Sequence, residues 1–260
     1  MPELPDVEGF RRRLERHGRG RRIGTVDVLD AGVVRNASTA TLRRRLTGRR
    51  LSRPERRGKW LLAPTDGPVL LLHFGMTGSL EWEAEPHRHD RVVFHLDGGD
   101  LRYRDQRKLQ GLWLARDEDE AARIIGPQGP DALGLAKHRL QERLAERKSG
   151  LKAALMDQTA VAGLGNIVTD EVLWRARLHP DRRPGSLTPP EWGRLHRALG
   201  TVLRGSVKEG QVPPRRSWLT GVRDEPQPSC PRCGTTLRRT RTAGRATLWC
   251  PSCQPAGPPR

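Results

Sequence analysis

The chain has 260 residues, enough for one large domain or two modest ones with a buried core. Lys+Arg 48 against Asp+Glu 30 leaves a formal charge of +18, which is self-repelling unless a polyanion is the partner, so nucleic acid is expected. No run approaches the roughly 18 apolar residues of a membrane span, the start is acidic and proline-bearing rather than signal-like, and the four cysteines, all between Cys230 and Cys253, exclude a disulfide framework spread along the chain.

The first half reads as β-rich, after one helix from Pro5 to about Gly18 with Val7, Phe10 and Leu14 on a single face. Short apolar runs follow at Thr25–Leu29, Trp60–Ala63, Val69–Phe74, Arg91–Leu96, Leu101–Tyr103 and Leu112–Leu114. Asp66-Gly67-Pro68 and Asp97-Gly98-Gly99-Asp100 supply turn chemistry between them. Only six basic residues are lysine, so arginine runs such as Arg11-Arg12-Arg13 and Arg43-Arg44-Arg45 read as solvated faces.

Gly126-Pro127-Gln128-Gly129-Pro130 separates the halves. Beyond it, Asp131–Arg147, Leu151–Asp157, Ile167–Ala176 and Thr188–Glu209 carry helical spacing, the last opened by the capping signature Thr188-Pro189-Pro190-Glu191. A proline-rich stretch from Val212 to Ser229 reads as a linker to the cysteines. The expected layout is a domain over 1–125, a helical domain over 131–211, a finger over 228–254 and a disordered tail over 255–260.

Three motifs carry chemistry. Cys230-x-x-Cys233 and Cys250-x-x-Cys253, sixteen residues apart, supply four thiolates for one tetrahedral Zn2+, with a redox or structural disulfide pair as the alternative. The start, Met1-Pro2-Glu3-Leu4-Pro5, permits removal of the initiator methionine, which would expose a secondary amine beside a carboxylate. An α-amino group has a pKa of about 7.7–8.0, so a neutral, nucleophilic fraction exists near neutral pH. Gly163-Leu164-Gly165-Asn166 opens a helix with free N–H groups, which suits a phosphate as well as it suits a plain helix–turn–helix.

Taken together and in order, the segments MPELPDVE (1–8), RRGKWLL (56–62), HFGMTGSL (73–80), RDQRK (104–108), GPQGPDAL (126–133), LMDQTAVAGLGNIVTDE (155–171) and GRATLWCPSCQ (244–254) resemble the formamidopyrimidine-DNA glycosylase / endonuclease VIII family over nearly the whole chain. The Leu-Pro after Pro-Glu resembles the formamidopyrimidine branch. The resemblance implies an α+β fold: an N-terminal β-sandwich with flanking helices, a helix–two-turn–helix domain and a C-terminal zinc ribbon, with DNA in the cleft between lobes. It implies Pro2 as the nucleophile on the deoxyribose C1′, Glu3 as acid/base and Lys59 as the catalytic-loop lysine. Asn166 and Arg245 match the grip on the phosphates flanking a flipped nucleotide, with Lys152 counted among the DNA contacts and Arg245 among the catalytic residues. Met76 and Arg107 match residues that fill the vacated duplex, and Leu109 stands at the family's aromatic wedge. One structural Zn2+, damaged double-stranded DNA as partner, no membrane, a monomeric state and a bacterial cytoplasmic, nucleoid-associated setting complete the expectation.

Some positions depart from the family pattern. Gln110 stands where glycine is usual and Val168 where tyrosine is usual. The Gly210-to-Cys230 stretch is short and lacks the tyrosine-glycine-arginine signature, where the family carries a loop that closes over extruded 8-oxoguanine. Three readings stand at this point: a bifunctional glycosylase/AP lyase acting on modified purines through a proline Schiff base with β,δ-elimination, a non-catalytic or mainly AP-lyase damage-binding protein, and an RNA-binding or ribosome-associated protein.

Overall fold

The apolar runs of the first half pair into two antiparallel sheets. The computed structural model describes residues 2–256, and the chain divides into two units between Pro127 and Gln128. In the first unit, β1 (Ile23–Val28), β6 (Asp90–Leu96), β7 (Gly99–Arg104) and β5 (Ser79–Trp82) form one sheet in that spatial order. The other sheet runs β2 (Glu55–Arg57), β3 (Trp60–Pro64), β4 (Val69–His73), β8 (Gly111–Ala115). Alternation sets the faces: Leu101 and Tyr103 of β7 point into the sandwich core while Asp100, Arg102 and Arg104 do not. Strand β4 is buried on both faces, because Leu70 and Leu72 join the sandwich core while Val69 and Leu71 lie beneath α3 (Glu118–Ile125).

Helix α1 (Leu4–His17) drops Val7 and Leu14 into the core, as its spacing predicts. Helix α2 (Thr39–Leu46) escapes prediction, since only Leu42 and Leu46 are buried and the Arg43-Arg44-Arg45 run between them is its exposed face. Ser38 caps it, accepting from the Thr41 N–H at 3.1 Å. Strands β2 and β5, three and four residues long, are too short to show a period.

In the second unit α4 (Lys137–Leu144), α5 (Leu151–Met156), α6 (Asn166–Ala176) and α7 (Pro189–Glu209) are followed by the one-turn α8 (Leu219–Val222) and the hairpin β9 (Arg238–Thr242), β10 (Arg245–Trp249). Helix α4 is much shorter than the periodicity over Asp131–Arg147 suggests. Asp131 is held extended by a bridge to Ala162, the Ala132 N–H donates to the Ala162 carbonyl, and Gly134 sits at φ +82°. The capping signature at Thr188 is realised, with Glu191 accepting from the Thr188 N–H at 2.8 Å. Of the tail expected to be disordered, residues 255 and 256 are exposed, and 257–260 lie outside the described residues.

Candidate active site and nucleic-acid interface

Glu3 is the N-cap of α1, in a reciprocal capping box with Asp6, whose carboxylate takes the Glu3 N–H at 2.9 Å. Its side chain is 1% exposed, while Pro2 beside it is half-buried. Burial raises the Asp6 carboxyl above its ordinary range.

Lys59 occupies a two-residue hairpin turn between the paired residues Arg57 and Trp60. Gly58 there takes φ +58°, which the first central position of a II′-type turn requires. Arg56 ties this turn to α1: its Nε lies 3.2 Å from Glu8 and one terminal nitrogen donates to the Gly58 carbonyl at 2.8 Å. Both side chains of that pair are nearly buried, and the arginines around Glu8 hold its carboxyl below the usual range despite the opposing effect of burial. The helix that follows Pro2 and Glu3 and the turn bearing Lys59 are thus braced by one nearly buried ion pair, which no local pattern announces. On the next strand His73, opposite Trp60, is pushed down to about 4 by burial and by the Lys59 charge, so it is neutral at physiological pH.

Met76, Arg107 and Leu109 come from two loops of the same unit. An Arg107 guanidinium nitrogen donates to Met76 Sδ at 3.0 Å, and the Arg107 N–H is shared between Thr77 Oγ1 and the buried Asp105. Leu109 is 51% exposed, one of two large hydrophobics so placed among the described residues. Its outward pose has a cause. Arg35 donates to the carbonyls on both sides, Lys108 at 2.6 Å and Gln110 at 2.7 Å, while Lys108 adopts φ +51° with its ammonium on Asp30.

In the second unit Asn166 is the first residue of α6, and its side-chain oxygen is buried without a partner, so the amide has unused hydrogen-bonding capacity. Gln158 builds the turn before it, accepting from the Gly163 N–H at 2.9 Å and donating to the Met156 and Leu164 carbonyls. Arg245 is exposed at the start of β10, following Ala243 and Gly244, both left-handed at φ +49° and +73° as a type I′ turn demands.

Lys152 requires a correction. Expected at the DNA surface, it is 0% exposed, and its ammonium meets Asp170 at 2.7 Å, Thr247 Oγ1 at 2.8 Å and the Ala246 carbonyl at 3.1 Å. Asp170 in turn takes the Leu248 N–H at 3.1 Å and pairs with Arg223. A buried ammonium is tolerable only when paired and fully hydrogen-bonded, so Lys152 binds β10 to α6 instead of reaching a phosphate.

The Cys230, Cys233, Cys250 and Cys253 sulfurs all lie within 4.8 Å of one another. Tetrahedral zinc with Zn–S bonds of about 2.3 Å sets its sulfurs about 3.8 Å apart; here Cys230–Cys253 is 3.9 Å, Cys233–Cys250 3.5 Å and Cys233–Cys253 3.6 Å. The donor set fits one structural Zn2+. Trp174 Nε1 donates to Cys230 Sγ at 3.3 Å, joining α6 to the first knuckle.

The Val212–Ser229 stretch, expected as a linker, is packed. Trp218, Leu219 and Val222 are buried, and the Leu219 N–H donates to Glu171 Oε2 at 2.8 Å. Arg239 holds the carbonyl of Glu225 at 2.8 Å. Only Pro214–Ser217 and Asp224–Gln227 remain as consecutively exposed stretches.

A sandwich, a helical region and a four-cysteine ribbon in this order define a zinc-finger DNA glycosylase scaffold. Residues 1–112 match the formamidopyrimidine-DNA glycosylase N-terminal domain, 127–215 the H2TH domain of the same enzymes and 229–256 a zinc finger found in FPG and IleRS. The formamidopyrimidine-DNA glycosylase of Symbiobacterium thermophilum is 42% identical over 98% of this chain and 90% of its own, and that of Bacillus cereus 37% identical over 98% and 99%. The Lactococcus lactis enzyme bound to DNA containing an AP site superposes with a TM-score of 0.85 at 29% identity, covering 98% of this chain and 100% of that one. The same enzyme on N7-benzyl-Fapy-dG DNA gives 0.85 at 31%, with the same coverage. This chain belongs to the formamidopyrimidine-DNA glycosylase family.

Proposed function

We propose that this chain is a bifunctional DNA glycosylase and AP lyase that acts on damaged duplex DNA through Pro2. The observation that carries the reading is the Glu8–Arg56–Gly58 brace, which joins the helix start bearing Pro2 and Glu3 to the turn bearing Lys59. Binding alone has no need of the N-terminal Pro2-Glu3 pair together with Lys59.

Once Met1 is removed, the neutral Pro2 amine attacks C1′ as the C1′–base bond breaks, its N–H proton goes to the departing base, and Glu3 in its protonated form gives a proton to the sugar-ring oxygen as the ring opens. The product is an iminium ion. Because proline is a secondary amine, this adduct cannot discharge by losing an N–H proton, so it draws electrons from C2′ and acidifies its hydrogen. Loss of that proton expels the 3′ phosphate, a second elimination expels the 5′ phosphate, and water releases the amine. Lys59, Asn166 and Arg245 serve as phosphate contacts in this reading, with Arg245 presented by the zinc-held hairpin, while Met76, Arg107 and Leu109 fill the gap left by the flipped nucleotide. The four cysteines would hold the zinc, which supplies folding energy to the hairpin. The protein would work as a monomer on the bacterial nucleoid, in a domain layout of 1–125, 131–211 and 228–254.

Substrate preference follows from the packed Val212–Ser229 stretch. With Pro214–Ser217 as its longest exposed run before Arg223, it offers few partners to the edge of an extruded base. Removal of 8-oxoguanine should therefore run at least about tenfold slower than abasic-site cleavage in single-turnover comparison, since lost hydrogen-bond readout costs discrimination of that order. Equal rates would reject this preference. Borohydride trapping on abasic DNA tests the chemistry: Pro2→Gly should trap poorly, and protein verified to retain Met1 should not trap at all. Full trapping by Met1-retaining protein would exclude Pro2 as nucleophile.

A further inference from the structure

Away from the residues assigned above, four arginines surround one recess in the second unit. The recess has a volume of about 280 Å³ and is lined by Arg175, Arg194, Arg197 and Arg232 with Ala198 and Thr201; no carboxylate is in the lining. Arg194, Arg197, Ala198 and Thr201 form one face of α7 by their three- and four-residue spacing, Arg175 comes from α6, and Arg232 from the first cysteine knuckle.

Three of the guanidinium groups are fixed before any ligand arrives. Arg175 lies over the Trp218 ring at 4.3 Å and donates through Nε to Glu171 at 2.8 Å. Arg232 lies over Trp174 at 4.5 Å and donates to the Trp174 carbonyl at 3.1 Å, and Arg194 donates through Nε to the Ala176 carbonyl at 3.1 Å. Two of these bonds cap the carboxyl end of α6, which is reason enough for two of the four. Capping engages one donor of the five on each guanidinium and gives no reason for Arg197, which is exposed on the same face. Neighbouring carboxylates neutralise the group only in part: Glu171 pairs with Arg175 at 2.8 Å, and Glu191 lies 3.6 Å from Arg194 but is held more closely by Arg182 at 2.9 Å, while among the described residues no carboxylate pairs with Arg197 or Arg232.

We propose that this recess is a second phosphate-binding site. Planar guanidinium forks match phosphate oxygens, and the volume lies at the small end of ligand pockets, which run from about 300 Å³, so it suits one phosphate group better than a whole nucleotide. Arg175 and Arg232 both lie over the Trp174 ring, so the recess presents no free stacking platform for a base, and recognition is of phosphate without regard to sequence. The site is separate from the phosphate grip proposed for Asn166 and Arg245. Arg175 lies nine residues along α6 from Asn166, about 13 Å at 1.5 Å per residue. Arg232 sits in the knuckle at the opposite end of the ribbon from the Arg245 turn. The inference rests on the DNA-glycosylase reading only in supposing that the second phosphate can belong to another stretch of duplex.

The test uses zinc-loaded full-length protein saturated with a duplex carrying an uncleavable abasic analogue. Labelled undamaged duplex and inorganic pyrophosphate are then titrated separately, and pyrophosphate is also titrated into free protein, so that arm stands whatever becomes of the lesion chemistry. Capture of the second duplex by wild type, weakened at least about tenfold in Arg194→Gln/Arg197→Gln, identifies a backbone phosphate as occupant. Pyrophosphate bound and lost in the same way, without duplex capture, identifies a small phosphate anion. Arg197→Gln alone, at an exposed position, moves in the same direction and guards against misfolding of the double variant. Abasic-site cleavage stays at the wild-type rate in both variants. Neither probe bound by wild type, equal binding by the variants, or loss of cleavage along with binding overturns the proposal.

Discussion

His73 illustrates how a single side chain links acid stability to the site. Its Nδ1 accepts the Gly75 N–H at 3.2 Å and its carbonyl takes the Tyr103 hydroxyl at 3.2 Å, which orients the turn leading to Met76. Burial and the Lys59 charge lower its pKa from 6.5 to about 4, so between those values the unfolded chain binds the extra proton and the native state does not. The contribution is complete above pH 6.5 and is lost as pH falls toward 4, by no more than about 3.5 kcal/mol. His73→Asn keeps an acceptor without a titrating proton, so its thermal midpoint should fall less than that of wild type between pH 6.5 and 4.5. Parallel pH profiles for the two proteins would exclude this role. The HFGMTGSL motif is legible in sequence, but the depressed pKa is not, because it comes from burial and from a lysine fourteen positions earlier.

Among the elements, the ribbon and α6 depend on each other. Zinc holds the knuckles, the Lys152–Asp170 pair holds β10 to α6, and Trp174 closes the arrangement on Cys230. Losing one partner of such a buried pair costs about 3–5 kcal/mol. Chelation or Cys250→Ser should therefore abolish DNA binding while the thermal transition of the first unit, followed by its half-buried Trp60, Trp82 and Trp113, is retained. Metal analysis that finds no zinc in well-folded, DNA-binding protein would reject this. The cysteine spacing announces the ribbon because ligand geometry is written into four positions. Helix α8 and the packing of Val212–Ser229 were illegible: prolines and arginines dominate the stretch, and burial of Trp218, Leu219 and Val222 depends on α6 and the ribbon being in place.

For the molecule as a whole, +18 is the governing quantity. Much of it is not neutralised internally, as the exposed faces of α2 and the arginine recess illustrate. Affinity for undamaged duplex should fall by about a hundredfold or more between 50 and 200 mM salt, each neutralised phosphate adding roughly 0.9 to the log–log slope. Fluorescence anisotropy across that range measures it, and a shallow slope would place most of the charge away from DNA. Neutralising Arg194 and Arg197 should lower the slope only when the probe can reach the recess.

What the chain determines by itself is whatever a few adjacent residues encode: the turn at Asp97-Gly98-Gly99-Asp100, the Thr188 cap, the Gly163–Asn166 helix start and the thiolate spacing. Turn dihedrals, capping bonds and metal ligands act over two to five positions, so their residue types betray them. Tertiary structure alone decided that Lys152 is interior, since the carbonyl it meets is 94 residues away. It likewise decided that Arg56 braces Glu8, that Arg35 holds Leu109 outward and that four arginines from three elements share one recess. The reason is physical: the fate of a charge depends on desolvation and on partners, and both are set by remote segments that pack beside it only once the chain has folded.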